Sequence, residues 1–268
     1  MINKMDAINT YLVAVARSLR LSDDELSRIR TSIGNLQTKL DNWFGDDLIK
    51  HFQFGSSTRD TILPCRVDDD SDIDYMVFKN DDDYKPQTLL NQLRRFVESK
   101  YTRSEIYQSH PTIVLELSHI KFELVPAVMP YVYNDCYHIP APTSGFMDWM
   151  LTEPMKLKGL IDDANARYNW QIKRVIRLLK YWNVMNGKVY SSYQIEQYVG
   201  QLVFFNCSML EDYFFYAVKW LPEGGLPQYK KDKVQRLKAK VEEIRNDYCE
   251  YGYKDLAQAE LEALLPRV

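Results

Sequence analysis

Two carboxylates one residue apart, Asp72 and Asp74, stand at the head of the segment Ser71-Asp-Ile-Asp-Tyr-Met-Val-Phe78. Successive side chains of a strand take opposite faces, so Asp72 and Asp74 share one face while Ile73, Tyr75 and Val77 point toward a core. Acidic groups that close repel each other unless a cation lies between them. Hard oxygen ligands on a rigid strand suit Mg²⁺, which takes one or two carboxylates together with waters and phosphate oxygens. Upstream, Phe54-Gly-Ser-Ser57 closes an apolar strand end with a Gly-Ser turn. Gly55 allows backbone N–H groups to approach a phosphate, and Ser56, with Ser57 as the weaker candidate, adds a hydroxyl. Together the two segments describe a nucleoside triphosphate held over metal ions.

A Gly-Ser turn, a spacer and Asp-x-Asp on a strand resemble the active site of the DNA polymerase β-type nucleotidyltransferases. The resemblance implies a third carboxylate on a neighbouring strand. Thr112–Leu117 and Ile120–Pro126 read as a hairpin turned at Ser118-His119, and they offer Glu116 and Glu123. Glu123 precedes Leu-Val-Pro-Ala, which is similar to the end of the third catalytic strand in the cyclic GMP-AMP synthase and oligoadenylate synthetase branch. Glu123 is preferred over Glu116 because Pro126 would end its strand at the rim, where sites are built. That family more often carries Asp there, so Glu123 adds a methylene to the metal geometry.

Downstream, Val175-Ile-Arg-Leu-Leu-Lys-Tyr-Trp-Asn183 is followed by Ser191-Ser-Tyr-Gln-Ile-Glu196. This pair of motifs is similar to the lid domain of the bacterial cyclic GMP-AMP synthase-like (DncV-like) nucleotidyltransferases, the CD-NTases. The resemblance covers residues 50–200 closely. It implies that Lys180 and Ser192 hold the triphosphate and that Tyr193 stacks on the donor base. The chemistry fits, since a lysine is a compact charge for phosphate oxygens and a tyrosine is a sequence-tolerant stacking platform. It further implies Mg²⁺, or Mn²⁺ in its place, on Asp72, Asp74 and Glu123. ATP and another NTP would be the substrates, and the product a cyclic di- or trinucleotide second messenger of bacterial antiphage (CBASS) signalling. A regulatory partner protein and a downstream effector that binds the product complete the expectation. A linear nucleotidyltransferase acting on RNA or a small molecule shares the same palm and triad, and a noncatalytic nucleotide-binding scaffold is the third reading.

One departure from the family is the spacer, with 15 residues between Ser56 and Asp72. Asp68 to Ser71 reads as an inserted loop. A shifted register would make Asp70 and Asp72 the pair, but Ser71 would then stand where an apolar residue belongs. The clusters Asp68–Asp70 and Asp81–Asp83 read as solvated loops.

With 268 residues, 46% of them hydrophobic and 26% charged, the chain has an ordinary globular composition. No run approaches a membrane span and the N-terminus carries no leader pattern, so a cytoplasmic protein is expected. Cys65, Cys136, Cys207 and Cys249 are scattered, with no Cys-x-x-Cys, so neither a zinc ribbon nor a disulfide framework is suggested. Net charge is −3, from 34 basic and 37 acidic residues. Duplex binding depends on neutralising phosphates, so no nucleic-acid activator is expected. The basic stretch 229–240 instead reads as an amphipathic helix with Val234, Leu237, Val241 and Ile244 on its buried side.

The expected fold is α+β: a polymerase β-like palm with a long N-terminal spine helix, then a helical lid. Residues 5–20 form a first helix with Ile8, Leu12, Val15 and Leu19 on one stripe. Ser22-Asp-Asp-Glu25 is a capping box opening a second, whose seam runs through Leu26, Ile29, Ile33, Leu36, Leu40 and Trp43. Strands near 50–54, 72–79, 112–117 and 120–126 alternate with a helix at 86–100. A proline-marked crossing near 126–145 leads to helices at 156–185, 191–206, 210–218 and 230–247. The expected domains are 1–150, the palm with its spine, and 151–268, the lid, with the nucleotide cleft between them.

Overall fold

The structure is a computed structural model that describes residues 7–79, 85–109, 111–128, 136–141, 148–249 and 251–268. Asp81, Asp82 and Asp83 and most of the proline-marked crossing lie outside the described residues. The chain divides into two compact units. One comprises Met1–Arg20, Arg66–Asp68 and Gly159–Val268; the other comprises Leu21–Cys65 and Asp69–Lys158. The division is not a single cut at 150, because the first helix folds with the C-terminal ones.

That first helix, α1 (Ala7–Ser18), buries the stripe expected from its spacing, Ile8, Leu12 and Val15, with Leu19 just beyond its end. It packs against α5 (Ile172–Met185), α7 (Leu210–Lys219) and α9 (Lys254–Leu264) of its own unit. Tyr11 Oη donates to Leu265 O at 2.8 Å, tying the two ends of this unit together.

The α/β unit begins with α2 (Asp23–Phe44). Its start is set by the reciprocal capping box: Ser22 Oγ accepts from Glu25 N at 3.2 Å, and Glu25 Oε2 accepts from Ser22 N at 2.7 Å. Ile29, Leu36 and Leu40 are buried along the seam, whereas Trp43 is 40% exposed and covers Phe96 from the rim. The sheet has the order β1-β2-β5-β4-β3, made of β1 (Leu48–Gln53), β2 (Asp72–Lys79), β3 (Glu105–Ser109), β4 (Thr112–Leu117) and β5 (Ile120–Ala127). β2 and β5 run parallel at its centre, and the remaining pairs are antiparallel. The β2–β5 crossover carries α3 (Pro86–Lys100), which opens on Pro86 and buries Leu89, Leu90, Leu93, Phe96 and Val97. Ile73, Tyr75 and Val77 of β2 and Phe122 and Leu124 of β5 share one core with Leu90, Leu93, Phe96 and Val97 of α3 and with Leu36 and Leu40 of α2. The opposite face is apolar only toward one end, where Met76, Phe78, Ala127 and Tyr137 cluster.

Several elements differ from expectation. β3 is an added edge strand, and β6 (Tyr137–Pro140), inside the proline-marked crossing, pairs with β7 (Trp149–Thr152), just beyond it, as a small ribbon. Pro126 does not end β5; it lies within the strand, register partner of Val77. Pairing with β4 stops at Leu124, so the missing N–H of Pro126 disturbs no β4 ladder bond. The single helix expected at 156–185 is two, α4 (Pro154–Arg167) and α5. The break falls where Asn169 and Trp170 both take positive φ, 52° and 62°. Asn165 stabilises it, its backbone carbonyl accepting from Trp170 N at 2.8 Å and its Oδ1 from Lys173 N at 3.1 Å. The remaining helices are α6 (Ser192–Gln201), α7, α8 (Gln228–Cys249) and α9. α8 buries Val234, Leu237, Val241 and Ile244, as its periodicity requires.

Candidate active site

In the α/β unit the site is built where β1 turns back beside β2. Phe54 N donates to Asp74 O at 3.0 Å, and the chain then enters a single 3₁₀ turn, Ser56–Arg59. Gly55 has φ 76° and ψ −162°, a region essentially restricted to glycine. It also lies against a carboxylate: a Cβ at Gly55 would stand 1.7 Å from Asp74 Oδ2. The turn is closed by Thr58 N and Thr58 Oγ1, which both donate to Gly55 O, at 3.2 and 2.9 Å, and by Thr61 N, which donates to Ser56 O at 3.1 Å. The two serines are not equivalent. Ser57 Oγ donates to Phe54 O at 3.1 Å and accepts from Gln53 Nε2 at 2.7 Å. Among the described residues the Ser56 hydroxyl makes no hydrogen bond, which leaves it available to a ligand.

The register of the central strands arranges the carboxylates. Asp74 is the parallel partner of Glu123, and Asp72 that of Lys121. Ile73 and Phe122 point to the helix-covered core, so Asp72, Asp74 and Glu123 share the other face of the sheet. Adjacent strands lie about 4.8 Å apart, which sets Asp74 and Glu123 side by side. Glu116 occupies a different neighbourhood: it accepts from Tyr107 Oη at 2.8 Å and stands 3.7 Å from Lys121 Nζ. The hydrogen bond to Glu116, with burial behind it, pushes the Tyr107 hydroxyl up to about 12.

Three carboxylates on one face of two adjacent strands are a donor set that fits a hard divalent cation in kind. Their side chains are not drawn to a common point: among the described residues no three His, Cys, Asp or Glu side chains are gathered as metal ligands. Like charges favour such separated rotamers. Asp74 turns toward Gly55.

The long spacer between the turn and β2 is an ordered loop. Thr61, Ile62 and Leu63 are buried, and Ser71 Oγ donates to Leu63 O at 2.8 Å. Asp70 precedes β2 and stands 3.7 Å from Lys121 Nζ. Asp68, by contrast, is not a solvated loop residue: its side chain is 14% exposed and paired with Lys188.

In the helical unit, Ser191 caps α6. Its Oγ accepts from Gln194 N at 3.1 Å, and Gln194 Oε1 accepts from Ser191 N at 2.8 Å. Ser192 is thereby the first residue of the helix, at the positive end of its dipole, and is exposed. Tyr193 is 57% exposed, its ring available as a platform. Lys180 is placed otherwise than as an open phosphate ligand. It is 4% exposed and its ammonium lies 2.5 Å from Glu196 Oε1, itself fully buried. A cavity of about 330 Å³ is lined by Lys180, Ser191 and Ser192 together with Asp68, Lys188 and Lys230. Lys188 and Lys230 carry no motif in the sequence. The folded turn between α5 and α6 brings Lys188 to this wall, and α8 brings Lys230.

Comparison with known proteins bears on the family and the fold. The family described as "Second Messenger Oligonucleotide or Dinucleotide Synthetase domain" matches residues 5–165. A probable cyclic nucleotide synthase of Bacillus cereus (strain VD146) is 31% identical over 104 residues, which are 37% of this chain. The matched stretch spans 31% of that relative's length. Among solved structures, the CD-NTase CdnG of Bradyrhizobium diazoefficiens in complex with GTP superposes with a TM-score of 0.73 at 13% identity, covering 96% of this chain and 99% of that one. CdnC of E. coli MS115-1, in complex with HORMA-deltaN, gives 0.72 at 14% identity, covering 99% and 98%. Vibrio cholerae DncV in its apo form gives 0.64 at 14% identity, covering 97% and 79%. The mixed sheet, the helical unit and a family match over more than half the chain lead to one conclusion: this protein belongs to the second messenger oligonucleotide or dinucleotide synthetase family, the CD-NTases, and has their polymerase β-like fold.

Proposed function

We propose that the chain is a nucleotidyltransferase that joins NTPs into a cyclic di- or trinucleotide with release of pyrophosphate. The observation that carries this reading is the register of β2 on β5, which sets Glu123 beside Asp74 on the face of Asp72, next to the Gly55–Ser56 turn. In the reaction a ribose hydroxyl attacks the α-phosphorus of an NTP. The new P–O bond forms as the bond to the β-phosphate breaks, pyrophosphate carries away the electron pair, and the hydroxyl loses its proton. Asp72, Asp74 and Glu123 are the residues that would hold Mg²⁺ or Mn²⁺, which supplies Lewis-acid stabilisation and a lowered hydroxyl pKa when bound. Ser56 contributes a free hydroxyl to the triphosphate from the α/β unit. From the helical unit Ser192 does so at a helix N-terminus, with Lys180, paired to Glu196, behind it on the cavity wall. Tyr193 stacks on a base.

A second turnover on the linear intermediate closes the ring. The product serves as a second messenger in bacterial antiphage defence, made in the cytoplasm and read by a separate effector. No helix of the described residues is long and apolar enough to cross a membrane. CdnC, a relative in fold, is found with a HORMA protein, which supports control by a partner protein here too.

The test is incubation of the pure protein with the four NTPs and Mg²⁺ or Mn²⁺, with products resolved by mass and by phosphatase resistance. A cyclic product that disappears in Asp72→Asn/Asp74→Asn while NTP binding persists supports the reading. Linear products alone would replace it with a linear nucleotidyltransferase, and turnover retained by the double variant would remove the carboxylates from the chemistry.

A further inference from the structure

The turn joining α5 to α6 is fixed by side chains from two helices. Asn183 donates from Nδ2 to Tyr190 O and accepts at Oδ1 from Tyr190 N, each at 2.9 Å. From α8, Lys230 Nζ donates to Lys188 O at 3.0 Å and to Val189 O at 2.9 Å, and Lys233 Nζ donates to Asn186 O at 2.7 Å. Held in this way, Lys188 takes φ 53°, an uncommon conformation for a residue with a Cβ. Its ammonium enters the cavity and meets Asp68 Oδ1 at 2.7 Å.

Asp68 is brought there by an anchored segment. Two residues before it, Arg66 Nη2 donates to Ser18 O at 2.7 Å, at the end of α1. The rest of the cavity wall carries Lys230 and the positive end of α6 at Ser191 and Ser192, while Lys180 there is already paired with Glu196. Asp68 is thus a carboxylate lodged among cationic groups, in the kind of place a phosphate would take.

We propose that Lys188 binds a phosphate of the nucleotide, and that Asp68 is the internal anion which that phosphate displaces from it. The inference rests on the reading of this cavity as part of the triphosphate site. An ammonium is a point charge with three donors, so it exchanges a carboxylate for a phosphate without a change of geometry. The exchange keeps Lys188 paired in both states. It also makes nucleotide binding a competition, so Asp68 lowers affinity through Lys188.

The experiment is calorimetric binding of the α,β-methylene analogues of ATP and GTP to the full chain. It uses Asp68→Asn, Lys188→Gln, the two combined, and Ser192→Asp as the probe of the cavity itself. Asp68→Asn should tighten binding by about threefold, the scale of a partly exposed ion pair. Lys188→Gln should weaken it by about tenfold, the scale of a charge-assisted hydrogen bond. The combined variant should bind like Lys188→Gln alone. Lys188→Asn, whose side chain suits positive φ, should repeat the Lys188→Gln result and separates lost charge from a disturbed turn. If Asp68→Asn tightens binding equally with and without Lys188, the carboxylate acts by general repulsion and the proposal is overturned. It is also overturned if Ser192→Asp weakens binding while Lys188→Gln does not, an outcome that leaves the cavity reading intact. If no variant, Ser192→Asp included, changes binding, the cavity reading itself falls and the proposal with it.

Discussion

Gly55→Ala should damage the site out of proportion to its size. Gly55 has φ 76° and ψ −162°, and enforcing that conformation on alanine costs about 1–3 kcal/mol. The added Cβ would also stand 1.7 Å from Asp74 Oδ2, 2.6 Å from its Cγ and 2.9 Å from its Cβ. The carboxylate can rotate away from the first contact, but the last is close to the backbone, so β2 or the turn must move as well. Either response shifts Asp74 by the order of an ångström, and a misplacement of that size costs about 10²-fold in rate. Gly45→Ala is the matched control. Gly45 also has positive φ, 52°, yet a Cβ there meets nothing within 4 Å. Both variants should lower stability in urea, Gly55→Ala by the larger amount, and only Gly55→Ala should lose turnover of NTPs. Equal turnover in the two variants would refute the argument that Gly55 is required by its approach to Asp74.

Glu123→Gln should abolish product formation while Glu116→Gln leaves it standing, since Glu116 faces Lys121 and Tyr107. The second substitution should also bring the Tyr107 hydroxyl down from about 12, read by ultraviolet titration against Tyr107→Phe. The Tyr75 hydroxyl is pushed up to about 12, first by burial, whereas an unfolded tyrosine ionises near 10. Its folded pKa is raised, so its contribution to stability is complete below about pH 10 and is lost as pH rises toward 12. Urea midpoints measured across that window should fall less steeply for Tyr75→Phe. Synthesis should proceed from NTPs and a divalent metal alone; a basal rate of zero that rises about tenfold with duplex DNA, RNA or single strands would show the charge argument to be wrong.

The parts legible in the sequence were those set by local periodicity. Alternation around Asp72 and Asp74 gave their common face because Ile73, Tyr75 and Val77 are uniformly apolar. The turn at Ser118-His119 and the capping box at Ser22 are equally short-range, and both are present in the fold. β3 was not legible because Glu105, Gln108 and Ser109 are polar and the strand is a half-exposed edge. The break before α5 hid inside a continuous apolar pattern, since its cause is a backbone conformation at Asn169 and Trp170. Lys180 could be recognised by its motif but not its partner: Glu196 lies on the next helix, and only tertiary packing buries the two together. Lys188 depends on cations from α8, 42 and 47 residues beyond the carbonyls they hold, which no local window contains.

The placement of α1 determines the order in which the chain can be completed on the ribosome. The α/β unit, apart from Arg66–Asp68, is a nearly uninterrupted stretch from Leu21 to Lys158, so all its strands are available before the C-terminal helices are made. The helical unit cannot close until synthesis has passed Leu265, whose carbonyl receives the hydroxyl of Tyr11 across 254 positions. Until α5 and α7 are made the stripe of Ile8, Leu12, Val15 and Leu19 has no native partners, and closing so long a loop makes this the slow assembly step. The α/β unit is, in effect, an insertion within the helical one. A shortened chain starting at 151 would therefore lack a piece of its own core, whereas one spanning 21–158 would retain its five-stranded sheet and the three carboxylates on it.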